Sequence, residues 1–386
     1  MYLTRPAFVI LLFAMVIQAQ TDKFANFGPT FEKELATAGV VGASFIFVKE
    51  NKPVLEEHFG MSNAETSQAV DTNTIYHWAS NTKPFTGIAI MQLRDRGSLK
   101  LDDPITKYIP ELRKIHNEHG SMDDITIRHL MTHSGGFRNG TWPWRNNKPW
   151  EPFEPTEWSQ LVAMFPFTEV QFKPGTKFSY SNPGIIYLGR VIETLSGESY
   201  ETYIDKNILR PLGMYNSFFD KTPPHLLKHR SHSYFIREGK RTEGPFDADT
   251  GITVSNSGLN SPIADMVKYL NFLIGDPKRQ AEYDIVLKRS SLEEMWQPQL
   301  KAELDSNGSR GFTTDIGLLY FIDAHEGRKF VGHGGDQNGF LSYLNVEPAS
   351  RSASILVMNT DITYSPDTPP GSQIVPKLRY FVRSLY

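Results

Sequence analysis

The sequence predicts an α+β fold: an antiparallel β-sheet flanked by helices, with a mostly helical subdomain inserted into it. Three observations carry this. Short β-rich segments joined by tight turns lie near both ends of the chain. Amphipathic stretches separated by Pro- and Gly-rich loops fill the middle. A last apolar-periodic stretch closes the C-terminus.

Taken in order, Phe31 to Ala38 reads as a short helix. Gly42 to Lys49 and Pro53 to Phe59 read as two strands around the turn Glu50-Asn51-Lys52, a hairpin. From Ser80 to Arg96 the residues Phe85, Ile88, Ala89, Met91 and Leu93 give a helix stopped by Gly97. Thr156 to Phe165, Gly184 to Leu195 and Ile263 to Ile274 are helical stretches of the middle. Beyond about Met295 the pattern changes to strands at Thr314 to Ile322, Arg328 to Gly332, Phe340 to Val346 and Ser352 to Met358. Ser372 to Leu385 reads as the closing helix. The two ends are expected to share one sheet, with the sheet part at about 27–79 and 300–386 and the helical part at about 95–295.

Composition bounds the function. The chain has 386 residues, 39% hydrophobic and 12% aromatic, enough to bury a large core. A net charge of −3 argues against nucleic acid or an anionic membrane surface as the main partner. With no cysteine there are no disulfides, no thiolate nucleophile and no cysteine-bound metal cluster. Residues 1–19 read as a secretory signal peptide. Arg5 supplies the positive end, Pro6 to Ile17 the apolar run, and Ala19 a small residue at the cleavage edge. The run is short for a membrane span. The expectation is a secreted or periplasmic protein without stable membrane insertion after processing. Its partner would be a small-molecule or peptide substrate.

The serine-hydrolase elbow G-x-S-x-G is absent, as is H-E-x-x-H. His129 and His133, and His225 and His229, are four apart. No third ligand sits at motif spacing, so they read as ordinary solvated or core histidines, and no metal or cofactor is expected. One serine alone has a lysine three residues on: Ser80, in Ala79-Ser80-Asn81-Thr82-Lys83. On a helix that spacing brings hydroxyl and amine to one face, with Cβ atoms about 5–6 Å apart. Such a lysine can take the serine proton if burial lowers its pKa. Pro84 fits a first helical turn.

A second element is Tyr180-Ser181-Asn182, in a Pro/Gly-bounded loop before a helix. The other two Y-x-N runs, Tyr269 to Asn271 and Tyr343 to Asn345, fall in a helix and a strand. A phenol there can shuttle a proton, and the amide can hold a substrate carbonyl. A third is His333-Gly334-Gly335 among the late strands, where glycines would let a substrate lie against a strand edge. His133-Ser134-Gly135 and Lys173-Pro174-Gly175 have a similar form, but both precede Tyr180 and neither lies in a strand-rich segment.

The order Ser-x-x-Lys, Tyr-x-Asn, His-x-Gly resembles the serine β-lactamase and penicillin-binding-protein superfamily. More closely it resembles the class C β-lactamase-related branch of D-alanyl-D-alanine carboxypeptidases, D-aminopeptidases and esterases. Gly97 to Ile105, Ile127 to Gly136 and Pro211 to Met214 match that branch as well, and the similarity spans about Phe31 to Tyr386. The resemblance implies a β-lactamase/transpeptidase-like domain over about 27–386. It makes Ser80 the nucleophile, Lys83 and Tyr180 the base and acid, and Asn182, His333, Gly334 and Gly335 substrate-binding residues. The backbone N–H groups of Ser80 and Asp336 would form the oxyanion hole.

His333 stands where class C lactamases usually have lysine. With an ordinary pKa near 6.5 it would be a weak carboxylate anchor at neutral pH. A carboxypeptidase, D-peptidase or esterase-like hydrolase is therefore expected over an efficient β-lactamase. A catalytically inactive relative acting as a binding or scaffold protein is the alternative. Asp336 is expected to point its side chain away from the oxyanion hole. By family position, Phe137, Arg138, Trp142 and Trp144 would rim the site, where they could bind an apolar group or a carboxylate.

Overall fold

Strand β1 (Gly42–Lys49) is buried along nearly its whole length. Ile46 and Val48 enter one apolar cluster, while Ala43, Phe45 and Phe47 enter a second. A strand covered on both faces reads as a continuous apolar run, as this one does. Glu50 and Asn51, both at positive φ (49° and 65°), turn the chain into β2 (Lys52–Asn63). Two such residues match the twist of a tight hairpin. The computed structural model describes residues 24–140, 155–237, 239–302, 314–362 and 374–386. The proposed leader and Trp142 and Trp144 lie outside these residues.

Helix α1 (residues 24–37) precedes the hairpin. After it come β3 (Gln68–Ala69), β4 (Ile75–His77) and α2 (Lys83–Asp95). The middle of the chain supplies α3 (Ile127–Met131), α4 (Trp158–Met164), α5 (Asn182–Ser196) and α6 (Tyr200–Ile204). It continues through β5 (Phe218–Phe219), β6 (Tyr234–Arg237), β7 (Lys240–Glu243), α7 (Val254–Ser257) and β8 (Leu259–Pro262). Next follow α8 (Ile263–Ile274), α9 (Gln280–Val286) and α10 (Arg289–Met295). The chain then returns to the sheet as β9 (Leu300–Ala302), β10 (Thr314–Ile316), β11 (Phe321–His325), β12 (Arg328–Gln337), β13 (Phe340–Glu347) and β14 (Ser352–Met358). It ends in β15 (Thr360–Asp361) and α11 (Ile374–Arg383).

Among the described residues the main sheet has the order β3-β2-β1-β14-β13-β12-β11-β10-β9. β1 pairs antiparallel with β14 from Ala43↔Met358 to Lys49↔Ser352, so the two ends do share one sheet. Two details differ from the sequence reading. The stretch Thr314 to Ile322 is two strands, because Gly317 to Tyr320 makes a turn closed by the Gly317 N–H donating to the Tyr320 carbonyl at 2.8 Å, with Leu319 at φ 62°. The strand expected at Arg328 to Gly332 runs on to Gln337 and carries the His-Gly-Gly run on it. Two three-stranded sheets, β15-β6-β7 and β4-β8-β5, join strands of the helical part to β15 and β4 outside it.

Helices cover both faces of the main sheet. On one side α1 and α11 bury Phe27, Phe31, Leu35, Leu378 and Val382 against Phe45, Phe47 and Leu356. The Phe27 and Phe381 rings stack at 4.8 Å. Each fully buried phenylalanine of this kind contributes about 1.5–3 kcal/mol. The buried pair Arg383–Asp323, at 2.5 Å, ties α11 to β11. On the other side α2, α5 and α8 form the larger core with Ile46, Val48, Leu344, Ile355 and Val357 of the sheet. The candidate site lies where this helical body meets β12.

Candidate active site

Ala79–Thr82 forms a single tight helical turn that runs directly into α2. Ala79 sits at φ 48°, a left-handed conformation that a residue with a Cβ adopts only when its surroundings enforce it. The surroundings here are specific. The Thr82 hydroxyl donates to the Ala79 carbonyl at 2.7 Å and accepts from the Leu259 N–H at 3.1 Å. The Trp78 indole donates to the Ser261 carbonyl at 2.8 Å. The turn is thus clamped to β8, and Ser80 is left half-buried between fully buried neighbours.

In a turn of this pitch, residues three apart eclipse one another. Lys83 Nζ accordingly donates to Ser80 Oγ at 2.9 Å, and also to the Asn256 carbonyl on α7 at 3.0 Å. Lys83 is fully buried. Removal from water pushes its amine well below the usual lysine range. An amine whose pKa is lowered in this way can take the proton of an adjacent hydroxyl.

The loop before α5 brings Tyr180 to the same place. Ser181 caps α5 by accepting from the Gly184 N–H at 3.1 Å, and Pro183 sits in the first turn. This fixes Tyr180 just ahead of the helix. Lys83 Nζ lies 4.9 Å from the centroid of the Tyr180 ring. Asn182 is anchored through its backbone N–H to the Asn139 carbonyl at 3.2 Å. Its Oδ1 is buried and has no hydrogen-bond partner among the described residues.

β12 supplies the far wall. β11 pairs with it only as far as Phe321↔Gly332, whereas β13 pairs with it through Gln337. From His333 onward one edge of β12 therefore carries no strand among the described residues, which leaves backbone groups for a substrate. A Cβ on Gly335 would lie 2.3 Å from the Trp78 carbonyl oxygen, so glycine is what allows the strand to touch the nucleophile turn. Gly334 has no such constraint, since the first atom a Cβ would meet is 3.6 Å away. Asn81 ties the same turn to β13, donating to Ser342 Oγ at 2.7 Å. The Asp336 side chain is exposed.

His333 differs from its expected chemistry. It is 5% exposed, with Nδ1 2.6 Å from the Gly334 carbonyl. Burial, together with the nearby Lys83, pushes its pKa down to about 3. The expected titration near pH 6.5 is therefore corrected: in this site the ring is neutral across the physiological range. Phe137 is also corrected. It is 1% exposed and packs edge-on against Tyr187 at 5.2 Å, a core residue and not a rim residue. Its side chain is apolar, which gives it more to gain inside than at the surface. Arg138 is half-buried and donates to Thr168 Oγ1 at 3.3 Å.

The structure thus brings Ser80, Lys83, Tyr180, Asn182, His333 and Gly335 to one locale and sorts out the competing motifs. Tyr269 is buried in α8 with its hydroxyl on that of Tyr320, and Tyr343 lies on β13. Sequence reasoning missed the Asn256 carbonyl, Ser342 and above all His133. His133 is wholly buried and stacks on the Tyr180 ring at 4.3 Å. Its only signal was the His-Ser-Gly run itself, and nothing in that spacing says which ring it packs against.

The Beta-lactamase family model matches residues 27–371. The chain belongs to the beta-lactamase family. Similar proteins cover different shares of its length. "Protein flp" of Staphylococcus aureus (strain N315) is 25% identical over 365 residues, covering 94% of this chain and 68% of that protein. A protein of Escherichia coli (strain K12) that carries the provisional name D-alanyl-D-alanine carboxypeptidase is 29% identical over 192 residues, covering 47% of this chain and 44% of that protein. Among solved structures, the octameric penicillin-binding protein homologue from Pyrococcus abyssi superposes with a TM-score of 0.76 at 28% identity, covering 94% of this chain and 77% of that one. A class C beta-lactamase mutant superposes with a TM-score of 0.74 at 18% identity, covering 95% and 97%, a likeness of fold.

Proposed function

We propose that this family member is a serine hydrolase that cleaves an amide or ester bond through an acyl-enzyme on Ser80. The observation that carries the reading is the wholly buried Lys83 amine, 2.9 Å from Ser80 Oγ and with its pKa held down by desolvation. Ser80 Oγ attacks the substrate carbonyl carbon as its proton passes to Lys83 Nζ. The oxyanion formed accepts hydrogen bonds from the N–H groups of Ser80 and Asp336. As the bond to the leaving nitrogen or oxygen breaks, Tyr180 gives that atom its phenolic proton and is reprotonated from Lys83. Water then adds to the acyl carbon, losing a proton to the same base pair. The C–Oγ bond breaks and Ser80 recovers its hydrogen.

The substrate class we favour is an ester or a D-peptide, in the manner of a carboxypeptidase, D-peptidase or esterase. A neutral, buried His333, its Nδ1 donating to the Gly334 carbonyl, presents an acceptor nitrogen and no positive charge where a cation would anchor a β-lactam carboxylate. We propose further that residues 1–19 export the protein. The mature chain would then begin near Gln20, as N-terminal sequencing of the product would show. Recovery of Met1 on a membrane-bound form would instead mean an anchor.

A fluorophosphonate probe tests the chemistry. Wild type should be labelled at Ser80, and Ser80→Ala should be unlabelled, folded, and lower in kcat by on the order of 10⁴–10⁶. Lys83→Ala and Tyr180→Phe should be comparably severe and non-additive with it, because the three act as a unit. Acylation of Ser80→Ala at the wild-type rate would sink the mechanism. p-Nitrophenyl esters, D-alanyl peptides and nitrocefin compared side by side would rank the substrates.

A further inference from the structure

We propose that His133 is the positioning residue for Tyr180, holding the phenol in register with Ser80 and Lys83. This rests on the acyl-enzyme reading above. Three contacts converge on one residue. The His133 carbonyl accepts from the Ser179 N–H at 2.8 Å, and His133 Nδ1 accepts from the Ser181 N–H at 3.1 Å. The residues on both sides of Tyr180 are therefore tied to the same residue. Between those ties the imidazole stacks on the phenol at 4.3 Å and 29°. The chain is bent to achieve this. α3 ends at Met131, and His133 sits at φ 52°, a conformation that few residues with a Cβ adopt without enforcement. Phe178 closes the edge of the ring, T-shaped at 5.8 Å.

The proton inventory fits the same role. Since Nδ1 accepts from Ser181, the ring proton resides on Nε2. Burial, with Lys83 and His333 nearby, keeps the ring neutral, and that preserves the acceptor. A protonated ring would carry hydrogen on both nitrogens and lose the Ser181 tie. The two glycines that follow Ser134 fit the close packing. A Cβ on Gly135 would lie 2.9 Å from Leu130, and one on Gly136 would lie 2.7 Å from the Phe172 carbonyl. Among the described residues no hydrogen bond joins His133 to Ser80, and it acts through Tyr180.

The test uses the full chain and two substitutions that each keep one of the contacts. His133→Asn retains an acceptor for Ser181 and removes the ring. His133→Phe retains the ring and removes the acceptor. Fluorophosphonate titration counts reactive Ser80 in each preparation, so any unfolded fraction drops out of kcat per titrated site. Both variants should lose kcat per site, by up to about 10²-fold for a displaced proton donor. KM should stay within about threefold, because nothing that binds substrate has been removed. A purely structural role would lower the number of titratable sites and leave kcat per site intact. That result, or wild-type kcat per site in both variants, overturns the proposal. A wild-type protein that the probe does not label would overturn the acyl-enzyme reading itself, and this inference with it.

Discussion

Gly335 is the glycine of the His-Gly-Gly run that packing demands. An added methyl would meet the Trp78 carbonyl oxygen at 2.3 Å, and that oxygen belongs to the backbone leading into the nucleophile turn. Neither partner is the end of a flexible side chain, so β12 and the turn must separate. Gly335→Ala should therefore lower the acylation rate about 10²-fold by misaligning Ser80 with the Asp336 N–H. It should also destabilise by about 1–3 kcal/mol, as overpacking does. Gly334→Ala, with 3.6 Å of clearance, should melt and acylate nearly as wild type. Stopped-flow acylation and thermal melts on both variants check this, and indistinguishable behaviour of the two alanine variants would refute it. At this scale Ser80 and Lys83 were legible because their relation is local: three residues of one turn fix the distance. The roles of His133 and of the Asn256 carbonyl depend on segments 48 and 173 residues away, and no local pattern encodes such a meeting.

The elements were legible to the extent that one face or one length identified them. β1 and β14 were read almost residue for residue, because apolar runs bounded by turn residues leave little freedom. α8 matched from Ile263 to Ile274, where a buried stripe recurs at helical spacing and Gly275, at φ 75°, ends it. The reading failed where polar or glycine residues are held by long-range partners. His333 to Gln337 carries no apolar alternation, yet it is strand because β13 pairs with every residue of it. β5 and β6 are short, and their pairing is set by contacts with β8 and β15, far away in sequence, with β7 added on the outer edge of β6. α5 begins two residues earlier than expected, since the Ser181 hydroxyl supplies the cap that the Pro-Gly pair obscured.

The whole molecule carries a sensitivity to acid that follows from its buried histidines. His77 is pushed down to about 4 by burial and Arg230, His333 to about 3 by burial and Lys83, and His133 well below its ordinary value by burial and Lys83. A ring whose folded pKa is depressed costs nothing above the unfolded value of about 6.5. Below it the unfolded chain binds a proton that the folded chain refuses, so stability falls as pH falls, by about 1.4 kcal/mol per pH unit for each group. Asp220 opposes this. Burial raises its carboxyl to about 6, so between about pH 6 and 4 the folded state alone holds that proton. His77 and His333 less Asp220 leave one proton, or about 1.4 kcal/mol per pH unit over that window, and His133 acts in the same direction. Against a typical stability of about 5–15 kcal/mol, this predicts a steep loss between pH 6 and 4. Urea midpoints measured at half-unit steps from pH 7.5 to 4 should fall continuously below 6.5. A flat profile down to pH 5 would contradict the burial of these rings.

The pairing of β1 with β14 sets the order in which the chain can fold. Ala43 faces Met358, so the hydrogen-bonded centre of the sheet joins residues separated by nearly the whole sequence. Until the last strands have been synthesised, the N-terminal hairpin has one edge unmatched and the apolar side chains of both its faces uncovered. Closing so long a loop is entropically costly before any contact rewards it, which makes for slow folding. The catalytic turn inherits this delay, since it is clamped between β8 and the β12–β13 pair, and β12 and β13 lie in the last quarter of the chain. Activity should therefore emerge late and all at once, because no partly made chain can hold the nucleophile turn from both sides.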